Sequence, residues 1–107
     1  MARISIKPLS ANRAWYGRRF PSNDYHQYKK DLAFILPKMI VPEGNLKLTV
    51  TFAYSNTRSD IDNGLKAFVD VLQENYGFND NRIYELEVYK RIVKKGKEYI
   101  DFLIEKC

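Results

Sequence analysis

Cysteine and histidine are almost absent from this chain, with one of each, Cys107 and His26, in 107 residues. A lone cysteine excludes an internal disulfide framework, and the two residues together cannot build a zinc site of cysteine and histidine ligands. Long apolar runs are missing too. The longest, Ala33 to Leu36, covers four residues, which excludes a transmembrane helix. The stretch Met1 to Leu9 has no apolar centre and no small-residue cleavage site. No secretory signal is therefore read there, and a cytoplasmic protein with no membrane partner is expected. Internal repeats and low-complexity tracts are also lacking.

What is present is enough for one core. A mass of 12.6 kDa corresponds to roughly 6,200 Å² of folded surface against roughly 18,300 Å² for the open chain. Apolar residues make up 45% and aromatic residues 14%, well above what disordered chains carry. A single domain spanning residues 1–107 is expected. The net charge of +5 is unevenly spread: residues 1–30 carry +6, residues 31–57 balance, residues 58–80 carry −3, and residues 81–107 carry +2. A basic field favours a polyanion, because Lys and Arg displace condensed counterions from phosphates. Carboxylates inside such a field need a cation between themselves and the phosphate.

Apolar periodicity orders the elements. Arg3 to Ile6 alternates into a short strand, and Lys7 to Asn23 reads as a long loop rich in arginine and aromatic side chains. Ser22 or Asn23 can cap a helix from Asp24 to Leu36, which Pro37 ends. Leu46 to Tyr54 alternates strictly and predicts a strand. Ile61, Leu65, Phe68 and Leu72 form an apolar stripe, predicting a helix from Asp60 to Tyr76 with Gly77 as its stop. Ile83 to Ile92 and Ile100 to Ile104 complete the pattern as strands. The order βαβαββ predicts an α+β fold, a small mixed sheet with helices on one face.

The acidic segment carries the chemistry. Asp60 and Asp62 open the second helix, where acids are favoured as caps and by the helix dipole. One-residue separation at a loop-to-helix junction also lets both carboxylates turn toward one point. Asp80 follows the same helix, and whether its turn folds back toward Asp60 is a tertiary question that spacing leaves open. Asp62, Lys66 and Asp70 lie four apart, an ordinary charge ladder that also sets an ammonium one turn from the carboxylates. Three carboxylates and a lysine are the parts of a metal-dependent phosphodiesterase, and hard oxygen ligands select Mg²⁺ or Mn²⁺. An EF-hand loop beginning at Asp60 is excluded, since its sixth and twelfth positions are Leu65 and Val71 rather than glycine and glutamate.

Arginines and aromatics interleave in the N-terminal loop: Arg13, Trp15, Tyr16, Arg18 and Arg19. Such mixtures stack bases while cations hold phosphates. Tyr25 and Tyr28, at helical spacing, read as core residues instead, and His26 as a partly exposed helix residue.

These residues in this order resemble a known family. Lys7-Pro8-Leu9-Ser10-Ala11-Asn12-Arg13-Ala14-Trp15 is similar to the P-x-S-x-N-x-x-W/Y segment of the RusA family of Holliday-junction resolvases. Asp60-Ile61-Asp62-Asn63-Gly64-Leu65-Lys66, followed by Asp70, is similar to its D-x-D-N-x-x-K helix. Asn79-Asp80 with Ile83 and Lys90 resembles its later acidic turn and basic strand. The resemblance covers nearly the whole chain. The family often has two acids at the later turn, where this chain has Asn79 before Asp80, so the ligand role is carried to Asp80 alone.

The resemblance implies a homodimeric endonuclease of bacterial or prophage origin that cuts branched DNA, the four-way junction, by paired symmetric strand breaks. It assigns metal binding and catalysis to Asp60, Asp62 and Asp80, and transition-state stabilisation to Lys66. Mg²⁺ is the expected cofactor, with Mn²⁺ able to substitute, and no nucleotide cofactor is expected. Arg13, Trp15, Tyr16, Arg18, Arg19, Arg58 and Lys90 are the expected DNA contacts. Two rival readings stand beside this one: a non-catalytic DNA-binding module of the same fold, and a structural dimer whose acids only cap helices.

Overall fold

The computed structural model describes residues 1–10, 15–16 and 20–107, with backbone alone at 15–16 and 20–21. Strand β1 covers Ala2–Ile4, and a two-residue antiparallel ladder joins β2, Trp15–Tyr16, to β3, Phe20–Pro21. The segment expected as a loop thus contains a minimal hairpin, which side-chain alternation over two residues is too short to signal. Helix α1 follows at Asn23–Ile35 and strand β4 at Leu46–Tyr54. Helix α2 covers Leu65–Tyr76, β5 covers Ile83–Ile92 and β6 covers Tyr99–Lys106. Apart from the hairpin, the order is the expected one, and the fold is α+β.

Local chemistry sets the element ends. Ser22 Oγ accepts the Tyr25 N–H at 3.1 Å and caps α1. At its other end Leu36 is extended (φ −61°, ψ 135°), as a residue before proline must be. Gly77 closes α2 at φ 69°, a left-handed position natural to glycine, with its N–H on the Gln73 carbonyl at 2.9 Å.

The main sheet runs β1-β6-β4-β5. Strand β6 is antiparallel to both β1 and β4, while β4 and β5 are parallel and joined through α2. Leu46, Leu48, Val50 and Phe52 of β4 face Ile100, Phe102 and Ile104 of β6 and the buried side chains of both helices. Phe68 anchors α2 at the centre of this layer, edge-on to Phe52 (centroids 6.0 Å) and to Phe102 (5.5 Å). Both helices therefore cover one face. The other face is polar, and Arg3 holds the buried Asp101 carboxylate through two bonds of 2.8 and 2.9 Å. No helix among the described residues is long and apolar enough to cross a membrane.

Parallel pairing fixes where the site elements lie. The connection after Tyr54 and the start of α2 sit at the C-terminal edge of β4 and β5. The turn with Asp80 sits at the opposite edge, ahead of Ile83, which pairs with Leu46. There Arg82 bonds the carbonyls of Gly44, at 3.0 Å, and Pro42, fastening that turn to the start of β4.

Candidate active site

Residues 55–64 form the site's frame. Asn56 Oδ1 accepts the N–H groups of Arg58 (3.0 Å) and Ser59 (3.1 Å), which folds the connection after β4 into an Asx turn. Two tight turns follow, with Asn63 N–H on the Asp60 carbonyl and Leu65 N–H on the Asp62 carbonyl, both at 3.0 Å. The helix begins only at Leu65 rather than at Asp60. Its N-cap is Gly64, and no side chain caps it. The expectation that Asp60 and Asp62 open the helix as capping acids is corrected accordingly. The reason is packing. Gly64 lies so close to the sheet that the chain must descend through the turns of Asp60–Gly64 before α2 can start.

This difference sharpens the question of what the acids do. Both carboxylates are exposed, and among the described residues neither takes part in a hydrogen bond or ion pair. Capping and salt bridging, the two structural uses of an acid at such a junction, are both unfilled. Two carboxylates one residue apart have the chemistry of hard-cation ligands, while the bare helix N-terminus beside them favours an anion such as phosphate.

Lys66 is the second residue of α2 and is exposed. Its ammonium lies 3.3 Å from Asp70 Oδ2, so the i,i+4 half of the expected ladder is formed. Asp70 Oδ1 also accepts Gln73 Nε2 at 3.4 Å, and Gln73 Oε1 accepts the backbone N–H of Asp80 at 2.8 Å. A line of polar contacts thus runs the length of the helix to the later turn. Asn79 Oδ1 caps that turn by accepting the Asn81 N–H at 2.9 Å, which accounts for its polar side chain without a ligand role. Asp80 itself is exposed.

In one chain the three aspartates are not together. The twelve residues of α2 separate Asp62 from the turn of Asp80, a span of about 18 Å along the axis. Among the described residues no group of three or more His, Cys, Asp or Glu side chains stands close enough to hold a metal ion.

Two of the expected basic residues, Arg58 and Lys90, lie at the Asp60 edge. Arg58 is exposed within the Asx turn. Lys90, near the end of β5, donates to the Thr57 carbonyl at 3.2 Å and ties that turn to the sheet. Arg13, Arg18 and Arg19 lie outside the described residues, and Trp15 and Tyr16 are described in backbone only.

Beside the turns is a cleft of about 720 Å³, with Ser59 and Asn63 at its rim and Tyr28 and Tyr54 among its lining residues. The buried hydroxyls of both tyrosines lack a hydrogen-bond partner among the described residues. Burial pushes the Tyr54 phenol up. The nearby Gly64 N–H opposes this in part without reaching hydrogen-bonding geometry. Sequence reading missed the roles of Asn56 and Gly64, though an Asn two residues before Arg58 and a Gly at the helix start were both visible signals.

A protein-family model described as endodeoxyribonuclease RusA matches residues 6–101. No curated protein matches the chain.

Proposed function

Since the chain belongs to the RusA family of endodeoxyribonucleases, we propose that it is a metal-dependent, structure-selective nuclease that resolves four-way DNA junctions by paired symmetric cuts, in recombination and repair. The observation that carries this reading is the pair of exposed carboxylates of Asp60 and Asp62, in the turns ahead of α2, which have no partner among the described residues. Their donor set fits a hard divalent cation, Mg²⁺ or Mn²⁺. Bound there, such an ion supplies Lewis acidity and an activated water.

The chain's own residues do the rest. Asp60 and Asp62 would hold the cation from the two tight turns, which fix their backbones through the bonds Asn63 to Asp60 and Leu65 to Asp62. Lys66, one turn further on, faces the scissile phosphate and stabilises charge as the transition state forms. Arg58 and Lys90 meet the phosphate backbone at the same edge, and Arg13, Trp15, Tyr16, Arg18 and Arg19 are the sequence's candidates for contact with phosphates and unstacked bases. Asp80 completes the ligand set from a second copy of the chain, because α2 keeps it at the far end of its own subunit. The active species is thus a homodimer.

The test is incubation with a labelled four-way junction and a matched linear duplex, with and without Mg²⁺. Junction cleavage that requires the metal, with the linear duplex left intact, supports the reading. The dispersal of the three aspartates within one chain favours a second reading, a DNA-binding module without catalysis. Junction binding with no cleavage in Mg²⁺ or Mn²⁺ would establish it.

A further inference from the structure

The cleft beside the turns has no part in metal binding. It lies between residues 5–10, which follow β1, the first turns of α1 and the connection after β4, and its volume of about 720 Å³ is that of a small-molecule site. Tyr28 and Tyr54 line it. Both side chains are more than nine-tenths buried, and neither hydroxyl has a hydrogen-bond partner among the described residues. A buried hydroxyl without a partner destabilises a fold, so two of them at one cleft mark a place where a ligand supplies the missing bonds.

Charge selects the ligand. Among the described lining residues three carboxylates, Asp24, Asp31 and Glu98, stand against one ammonium, Lys7, a balance that repels phosphate. Carboxylates only accept hydrogen bonds, so a ligand that suits them brings N–H donors. Asp31 already accepts Gln27 Nε2 at 2.8 Å and Glu98 accepts Ser55 Oγ at 2.7 Å, yet each carboxylate has lone pairs beyond these bonds. Burial pushes both phenols up, which keeps them as O–H groups able to donate and to accept. A ring nitrogen beside an amino group, the edge of adenine or cytosine, offers them one acceptor and one donor.

Position agrees with the chemistry. Ser59 and Asn63 at the rim bracket Asp60 and Asp62 in sequence. Burial raises the Tyr54 phenol and Asp62 adds to the rise, so that carboxylate and the cleft are neighbours. A phosphate drawn to Asp60 and Asp62 through a cation thus brings the base of its own nucleotide to the mouth of the cleft.

We propose that this cleft takes one unstacked, amino-bearing nucleobase of the DNA, adenine or cytosine, whose edge is read by the hydroxyls of Tyr28 and Tyr54. That the ligand is DNA rests on the nuclease reading above. Extruding a base costs its pairing and stacking, least where stacking is already interrupted, as at a branch point. Neither hydroxyl is open to bulk water, so the base reaches them by parting the residues above them.

The experiment reads binding of the full chain to a labelled four-way junction, by fluorescence anisotropy in Ca²⁺, and not cleavage. At the nucleotides flanking the branch point, adenine is exchanged for purine and cytosine for 2-pyrimidinone, analogues that keep the ring and lose the amino group. At one flanking position the wild type should bind the analogue about five- to tenfold more weakly, the effect of one lost hydrogen bond. The analogues pair more weakly and unstack more readily, so a cleft that reads no amino group would favour them. Tyr28→Phe combined with Tyr54→Phe should melt like wild type and bind base and analogue alike, and each single variant should lose part of the difference. The single variants carry the same test if the double variant does not fold. Equal binding of base and analogue at every flanking position, no junction binding at all, or a difference that survives the hydroxyl deletions overturns the proposal and leaves the cleft to water. An amino-reading cleft in a chain that never cuts refutes the nuclease reading alone. Metal-dependent cutting by a chain indifferent to the analogues refutes the cleft alone.

Discussion

Gly64 lies against Tyr54 so closely that a Cβ at position 64 would come within 3.1 Å of the Tyr54 hydroxyl oxygen, and within 3.3 Å of the Phe52 ring. Both aromatic side chains are buried, the Phe52 ring completely, so a Cβ there crowds the core. Gly64→Ala is expected to cost about 1–3 kcal/mol, the usual range for overpacking, and to displace the turns that hold Asp60 and Asp62. Tyr54→Phe removes a buried hydroxyl that has no partner among the described residues and should be nearly neutral. In combination it should return part of the loss, which thermal melts of the four proteins in the cycle would measure.

Asp62→Asn is expected to abolish cleavage while keeping or tightening junction binding. The side-chain volume hardly changes, one negative charge leaves a phosphate-binding surface, and metal affinity falls. Wild-type cleavage by this variant in Mg²⁺ would remove Asp62 from the ligand set.

Lys66 lies on the exposed surface of α2. Its ion pair with Asp70, 3.3 Å long and largely exposed, is a helix-surface pair worth only a few tenths of a kcal/mol. Lys66→Ala should therefore melt like wild type and bind the junction nearly as well. Single-turnover cleavage should slow at least about 100-fold, the usual effect of losing one transition-state donor. A rate loss below about tenfold with an unchanged melt would show that Lys66 serves the helix alone.

Strands β4 and β5, the cap at Ser22 and the stops at Pro37 and Gly77 were legible because each rests on local chemistry that sequence spacing exposes. The start of α2 was not. Ile61 sits in phase with Leu65, Phe68 and Leu72 and extends the apolar stripe, yet it is half-exposed, and the helix waits for the glycine that can approach Phe52 and Tyr54. Asp60, Asp62, Lys66 and Asp80 were readable as residues of interest. Their distribution over two edges was not, because it depends on β4 and β5 being parallel neighbours, a pairing that no local pattern encodes.

Alkaline unfolding offers a check on the core. Burial, with smaller contributions from Asp70 and Glu74, raises the Tyr25 phenol from about 10 to about 12, and burial also raises Tyr28, Tyr54 and Tyr76. Between these values the folded chain retains protons that the unfolded chain has released. The stabilisation is thus complete below about pH 10 and is lost as pH rises toward about 12 for Tyr25. Phenolate absorbance should rise in two stages, the later one coinciding with loss of circular dichroism. All eight tyrosines ionising together in a protein that stays folded would contradict the packing described.

The central claim, a nuclease site shared between two copies, is tested most directly by mixing two inactive variants. Asp62→Asn and Asp80→Asn are each expected to be dead alone. In a mixed dimer with shared sites, one site carries both lesions and the other carries neither. Co-refolded chains should therefore regain Mg²⁺-dependent cutting of one junction strand per dimer. No recovered cleavage, from a mixture shown to contain heterodimers, would contradict the shared site.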